Sequence, residues 1–245
     1  MEASIARVNL GSASVGAPFT LSNELVPAYP GAALVAKARS AVARVVDGFV
    51  VAYSKEVTAF PYNDGAVAVL FVNDAAASTL LASTTKKVLV PLGPIDQLSI
   101  APMSDGSVVV ATTPYSNNPT MTIALTRVRA DGSTTTLSPQ TVDPPFAIGG
   151  GVVLRPLDDG FVVGYQQLTL DQTVAGGIAD STVRIVPYGS DGAPLASAFS
   201  IGRGVYVDSP FALDTSPFDR TIHFVYLRQW PPVALDYGRL YCKRG

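Results

Sequence analysis

Histidine and cysteine, on which many nucleophilic and metal sites depend, are scarce in this sequence. His223 is the only histidine and Cys242 the only cysteine in the 245 residues. A Ser-His-Asp triad would have to use His223, but this residue lies between Ile222 and Phe224 in a strand pattern, which favours a histidine satisfied by a neighbour. Cys242 lies near the end of the given chain, where side chains are seldom held rigidly. We therefore predict no catalytic residue, no bound metal and no cofactor.

Paired carboxylates are the remaining chemistry to consider, because glycoside hydrolysis needs two of them at a suitable separation. The nearest candidates are Asp96 and Asp214, which lie close to the first strands predicted below for two repeats. The strand segments 98–101 and 151–155 themselves contain no Asp or Glu. We therefore predict that the chain is not an enzyme and retain glycoside hydrolysis as the lesser alternative.

A larger group of residues has the chemistry of a binding surface. Aromatic rings can stack on the apolar faces of sugars, and nearby amides or carboxylates can bind the hydroxyls. The candidate ligand-binding residues are Tyr62, Tyr115, Asn117, Asn118, Asp171, Trp230 and Tyr237. Trp230 is followed by two prolines, so its ring could equally pack a loop against its own sheet.

The elements that must position these residues recur along the chain. The segment Asp159-Gly160-Phe161-Val162-Val163-Gly164-Tyr165 has a near copy at 47–53, a weaker copy at 105–111 and a degenerate copy at 219–226. Their aspartates are 58, 54 and 60 residues apart. This spacing indicates a unit of about 57 residues that is repeated within one domain.

Each repeat has the pattern of four short strands, which we call A, B, C and D. Short runs rich in Val and Thr, separated by Asp-Gly pairs, are typical of antiparallel strands joined by hairpins, since glycine accepts a positive φ. A helix fits residues 32–43 as well as a strand does. The A to D strands are predicted at 41–46, 49–53, 67–72 and 87–90; at 98–101, 107–112, 121–128 and 134–138; at 151–155, 161–166, 182–188 and 195–201; and, without D, at 211–214, 221–227 and 239–242.

Four-stranded antiparallel units of this length, with a hairpin between A and B, resemble the blades of β-propeller repeat proteins. The resemblance is architectural and covers nearly the whole chain, without the signature motifs of WD, kelch or sialidase propellers. It implies an all-β fold of four or five blades in a single domain, 1–245. The repeats would span 32–92, 93–146, 147–207 and 208–245 with 1–31, and the N-terminal strands would close the ring by pairing with the C-terminal strands. A β-sandwich with repeated hairpins is the alternative.

The two ends of such blades differ in what they could bind. Antiparallel strands place the A–B and C–D turns at one end and the longer B–C and D–A loops at the other, where binding usually occurs. The predicted B–C loops are 54–65, 114–120, 168–180 and 229–238. We predict a non-catalytic, lectin-like recognition or assembly module that binds a glycan or cell-surface receptor through this face. The alternative is a structural virion component, such as a phage spike, fibre or collar protein.

The amino-acid composition limits the kinds of partner that the chain could bind. Charged residues make up 15% of the chain, against a usual ~25%, which favours burial in a homo-oligomer or particle, although Ser, Thr and Asn on outer faces would also account for it. The net charge of −2 without a basic stripe argues against nucleic-acid binding. We expect no membrane insertion, because no apolar run reaches the ~20 residues of a spanning helix. The N-terminus lacks a signal-peptide pattern, which leaves virion assembly and leaderless export open.

Overall fold

The computed structural model of the chain is built from β-strands. All strand pairs among the described residues are antiparallel, and no helix occurs among them, so the all-β prediction is confirmed. No helix in this part of the chain is long and apolar enough to cross a membrane. The residues that the structure describes are 3–5, 8–9, 14–15, 19–22, 40–46, 48–56, 65–73, 85–91, 95–114, 121–149, 151–173, 177–203, 211–215, 221–229 and 238–244.

The chain divides into two compact units, Met1–Pro94 and Ile95–Gly245. In the first unit, β1 (Ala3–Ile5) pairs with β4 (Phe19–Ser22), and β2 (Val8–Asn9) pairs with β3 (Ser14–Val15). These strands form two sheets of their own.

The first repeat forms a four-stranded sheet within the first unit. Its strands follow in sequence order as β5 (Ser40–Val45), β6 (Gly48–Glu56), β7 (Gly65–Asn73) and β8 (Thr85–Pro91). The four strands predicted for this repeat are confirmed. Residues 40–43 lie in strand β5, whereas the rest of the segment 32–43 lies outside the described residues.

The second repeat begins the second unit, and its last strand is divided. The predicted A, B and C strands correspond to β9 (Ile95–Pro102), β10 (Val108–Pro114) and β11 (Thr122–Val128). Strand D consists of β12 (Thr134–Thr136) and β13 (Gln140–Thr141), both of which pair with β11.

The third repeat has the longest strands, and its first strand is also divided. Both β14 (Phe146–Ile148) and β15 (Val153–Leu157) pair with β16 (Gly160–Leu170). The sheet continues with β17 (Ile178–Gly189) and ends at β18 (Phe199–Arg203).

The predicted loop 168–180 is wrong at both of its ends. The pairing of β16 with β17 continues through Thr169 opposite Asp180, and a bulge precedes the pair of Leu170 with Ile178. Gln166, which ends the predicted strand B, and Gln167 are both buried within the sheet. The connection between these strands is therefore limited to residues 171–177.

The fourth repeat contributes a three-stranded sheet. It comprises β19 (Ala212–Thr215), β20 (Ile222–Gln229) and β21 (Gly238–Arg244), in that order. These three strands match the predicted A, B and C strands. No sheet among the described residues closes on itself, so closure of a ring by the chain ends stays a prediction.

Three Asp-Gly pairs form the same hairpin turn. At Asp105-Gly106, the N–H of Gly106 donates to the carbonyl of Met103, and the N–H of Met103 donates to the carbonyl of Ser107. The same two bonds form around Gly132 and Gly192, and all three glycines have a positive φ. In each turn the aspartate carboxylate accepts the N–H two residues further on. Here the predicted reason for glycine is confirmed.

Gly160 recurs at the same place in the repeat pattern but is required for a different reason, which corrects the prediction for that hairpin. Leu157 pairs with Gly160, so Asp158 and Asp159 alone make the turn and Gly160 is the first residue of β16. A Cβ atom at this position would lie 2.0 Å from the carbonyl oxygen of Tyr188. Close approach of the neighbouring strand, rather than a positive φ, requires glycine here.

The third-repeat sheet is buried on both faces. Phe161, Val163 and Tyr165 of β16 pack with residues of the second repeat in one apolar cluster. Val162, on the opposite face, packs in a second cluster with Phe211 and other residues of the fourth repeat. The third sheet therefore lies between the second and the fourth.

Candidate functional site

One predicted ligand-binding residue, Asp171, lies within the described part of the chain. Its Oδ1 accepts hydrogen bonds from the backbone N–H (2.8 Å) and the hydroxyl (2.7 Å) of Thr173. The hydrogen bond from the Thr173 hydroxyl has the larger effect and that from the backbone N–H the smaller, and together they lower the pKa of Asp171 below its ordinary value. Its carboxylate thus stabilises the turn after β16. The other candidates, which lie outside the described residues, are Tyr62, Tyr115, Asn117, Asn118, Trp230 and Tyr237.

The first strands of the second, third and fourth repeats lie side by side. The hydroxyl oxygen of Ser99 in β9 accepts a hydrogen bond from the N–H of Leu154 in β15 (2.9 Å). The hydroxyl of Thr215 in β19 donates to the carbonyl of Pro156 in β15 (2.8 Å). Strand β15 is therefore held between β9 and β19.

These contacts gather a polar group that we call the first-strand cluster: Ser99, Arg155, Asp214 and Thr215. Nε of Arg155 is 3.7 Å from Oδ1 of Asp214, and Nη1 of Arg155 donates to the carbonyl of Leu154 (2.7 Å). The same Oδ1 accepts the N–H of Thr215 (3.0 Å). The Asp214 side chain is 81% exposed and that of Arg155 39% exposed. The carboxylate is thus oriented by the protein and remains accessible to a ligand.

Two of the first strands carry an acidic residue, and one of these residues lay outside its predicted segment. Strand β9 begins at Ile95 and so includes Asp96, whereas the predicted segment 98–101 excluded it. Strand β19 includes Asp214, as the predicted segment 211–214 did.

Along the backbone, Asp96 and Asp214 lie at different levels of the first strands. Asp96 precedes Ser99 by three residues, which is about 10 Å along an extended strand. Ser99 is hydrogen-bonded to Leu154, and Thr215 is hydrogen-bonded to Pro156. Both this offset and the width of β15 therefore separate the two backbone positions.

His223 lies in β20 directly opposite Asp214. Its Nε2 is 2.9 Å from the hydroxyl oxygen of Thr221. A local hydrogen-bond partner was predicted for this histidine, and it is confirmed. No group of three or more His, Cys, Asp or Glu side chains that could hold a metal occurs in the part of the chain the structure describes.

A second charged group joins two repeats at the end of the short turns. Arg127 of β11 donates from Nη2 to Asp105 (2.7 Å) and from Nε to the hydroxyl of Ser107 (2.8 Å) in the A–B turn of its own repeat. Its Nη1 donates to the carbonyl of Ser190 (2.8 Å), in the C–D turn of the third repeat. As predicted from strand direction, A–B and C–D turns lie at the same end.

Asp105 makes stability depend on pH in the acid range. Burial raises its pKa, but hydrogen bonds from Ser107 and Arg127 and the charge of Arg127 outweigh burial and lower the pKa from 3.8 to about 2. The stabilisation is therefore present above about pH 4 and is lost as the pH falls towards 2. We expect Asp105→Asn to lower the free energy of unfolding at pH 7 by at most about 1 kcal/mol, because a half-exposed ion pair is screened by solvent.

Urea unfolding of both proteins between pH 7 and pH 2 measures this effect. The stability difference between wild type and Asp105→Asn should shrink below pH 4. The control is Asp191→Asn, which changes the equivalent turn position, where the described residues form no ion pair. A difference that stays constant down to pH 2 contradicts the assignment.

Comparison with known proteins finds a similarity in structure but none in sequence. No protein-family model matches the sequence, and no curated protein is significantly similar to it. Among solved structures, the chain is similar to a GH43 endo-arabinanase from Bacillus licheniformis, with a TM-score of 0.39 and 12% sequence identity over 83% of this chain and 71% of that chain. This likeness by itself assigns no activity to the chain.

The predicted function is corrected by this comparison. The similar solved structure is that of an enzyme, which contradicts the prediction of a non-catalytic recognition or assembly module and the prediction that the chain is not an enzyme. Neither lectin-like binding nor a virion role is supported by the comparisons. Both interpretations rested on the loop residues and on low charge.

Proposed function

We propose that the chain is a β-propeller that acts on a carbohydrate as a glycoside hydrolase, with the first-strand cluster as its site. The observation that carries this proposal is the exposed carboxylate of Asp214, which is oriented by Arg155 of the neighbouring first strand at 3.7 Å. In a propeller, the first strands of the blades surround the central channel, where substrate would meet this carboxylate.

The packing of the repeats supports the propeller over the sandwich. In a β-sandwich, each sheet has one inner face and one outer face that is exposed to solvent. The third-repeat sheet instead packs against the second repeat through Phe161 and against the fourth through Val162. Stacked blades account for burial on both faces and also for the side-by-side first strands.

The chemistry assigned to Asp214 is that of the base or nucleophile. Both types of glycoside hydrolysis use one carboxylate in this role and a second carboxyl group as the proton donor. Arg155 is a positioning residue, since it contacts the carboxylate rather than the reacting bond.

The proposal is tested by incubating the purified chain with a panel of polysaccharides that includes arabinan, and measuring new reducing ends. Analysis of the products separates cleavage within a chain from release of terminal sugars. Release of reducing ends by wild type on at least one polysaccharide is the expected result. Binding without cleavage across the panel contradicts the proposal.

A further inference from the structure

Arg184 of β17 lies on the face of the third-repeat sheet that packs against the second repeat. It is directly opposite Tyr165 of β16 on one side and Ser200 of β18 on the other. Directly opposed residues in an antiparallel sheet project from the same face, with Cβ atoms roughly 5 Å apart. The guanidinium thus shares its face with a phenol and a hydroxyl, and neither cross-strand neighbour is acidic.

The guanidinium of Arg184 is incompletely satisfied. Its Nε is buried and has no hydrogen-bond partner among the described residues. No ion pair joins Arg184 to a carboxylate within the same part of the chain. A buried donor of a charged group that lacks an acceptor costs more than a neutral one, so an acceptor at this position would be strongly favoured.

Tyr165 directs a second donor to the same face. Its hydroxyl oxygen accepts a hydrogen bond from Nε2 of Gln140 (3.2 Å), while Oε1 of Gln140 accepts one from the hydroxyl of Tyr188 (3.3 Å). The Tyr165 proton is therefore left to donate, and the described residues supply no acceptor for it. Burial raises the pKa of Tyr165, with the charge of Arg184 opposing that rise, so the hydroxyl keeps its proton at neutral pH.

We propose that Arg184 and Tyr165 form a binding site for a small monovalent anion between the second and third repeats. The anion, a chloride or a carboxylate such as formate, accepts from Nε of Arg184 and from the Tyr165 hydroxyl. A water molecule would satisfy both donors but would leave the positive charge uncompensated. The ring of Tyr165 belongs to the buried apolar cluster on this face, and low polarity on that side strengthens the attraction between the guanidinium and an anion.

This site is separate from the first-strand cluster and does not depend on the proposed hydrolysis. The anion would stabilise contact between two blades, because it bonds to β16 and β17 at the face that contacts the second repeat. Ligands that bind the folded state alone raise its stability in proportion to the logarithm of their concentration. The site can therefore be detected by thermal unfolding, without any assay of activity.

The test is thermal unfolding in sodium chloride and in sodium formate, with sodium gluconate keeping the ionic strength constant. For wild type, chloride or formate should raise Tm by about 2–4 °C relative to gluconate, and the rise should become logarithmic in anion concentration above the dissociation constant. A response to chloride alone identifies a halide site, and a response to formate identifies a carboxylate site.

Three variants decide whether the response belongs to this site. Arg184→Gln should abolish it, and Tyr165→Phe, which keeps the buried ring, should reduce it at least tenfold in apparent affinity. Arg155→Gln is the matched control and should keep the full response. The proposal is overturned if neither anion raises the Tm of wild type above its value in gluconate, or if Arg184→Gln and Tyr165→Phe both respond as wild type does.

Discussion

Replacing Gly160 by alanine should destabilise the chain by about 3 kcal/mol or more. The added Cβ would lie 2.0 Å from the carbonyl oxygen of Tyr188. This oxygen belongs to the backbone of β17, which pairs with β16 residue by residue from Gly160 onward. Relief of the overlap therefore requires a shift of a central strand, whereas rotation of a side chain would not suffice.

Gly106→Ala is the matched control for this substitution. Gly106 has a φ of +79°, but a Cβ there would meet nothing within 4 Å. Alanine should thus cost only the backbone strain of a left-handed conformation, about 1–2 kcal/mol. The free energy of unfolding of both variants is measured by chemical denaturation, with circular dichroism as the signal. If Gly160→Ala is no less stable than Gly106→Ala, the claim that β17 lies too close to Gly160 for a Cβ atom is contradicted.

Asp214→Asn should lower kcat/KM for polysaccharide hydrolysis by about 10³-fold, because a carboxylate in the role of base or nucleophile contributes 10²–10⁴-fold. Asparagine keeps the size of the side chain and an oxygen that can accept the N–H of Thr215. The side chain is 81% exposed, so stability should change by less than about 0.5 kcal/mol. Loss of activity would then reflect lost chemistry rather than unfolding.

Two further variants separate the role of Asp214 from general effects of charge. Asp159→Asn removes an exposed carboxylate from the A–B turn of the third repeat and should leave kcat/KM unchanged. Arg155→Gln should lower kcat/KM less than Asp214→Asn does, because Arg155 orients the carboxylate without contacting the reacting bond. Arg155→Lys, which keeps the charge, should restore part of that loss.

The strands were predictable from sequence because their determinants are local. Short β-branched runs and Asp-Gly pairs recur at nearly constant spacing, and every predicted strand matches a strand of the structure. The predictions that failed concerned features that depend on contacts between strands. Gly160 and Gly106 look alike in the repeat pattern, but one is required by a neighbouring backbone and the other by its own φ. Likewise, the loop predicted at 168–180 was too long because its two ends pair with each other in β16 and β17.

The first-strand cluster was missed because it forms between repeats. The candidate ligand-binding residues, such as Tyr62 and Trp230, were chosen because they lie in long predicted loops. Ser99, Arg155 and Asp214 instead lie on strands. One signal was present, however: these three residues are 56 and 59 residues apart, close to the repeat period. Polar residues at equivalent positions of successive first strands should therefore be examined before loops in a chain of this kind.

The most direct measurement of the central claim is the rate of reducing-end release by wild type and by Asp214→Asn on the same polysaccharide, with unfolding curves for both. The account predicts hydrolysis by wild type and a loss of about 10³-fold in the variant, with superimposable unfolding curves. Equal rates in the two proteins, or no hydrolysis by a fully folded wild type on any polysaccharide, would contradict it.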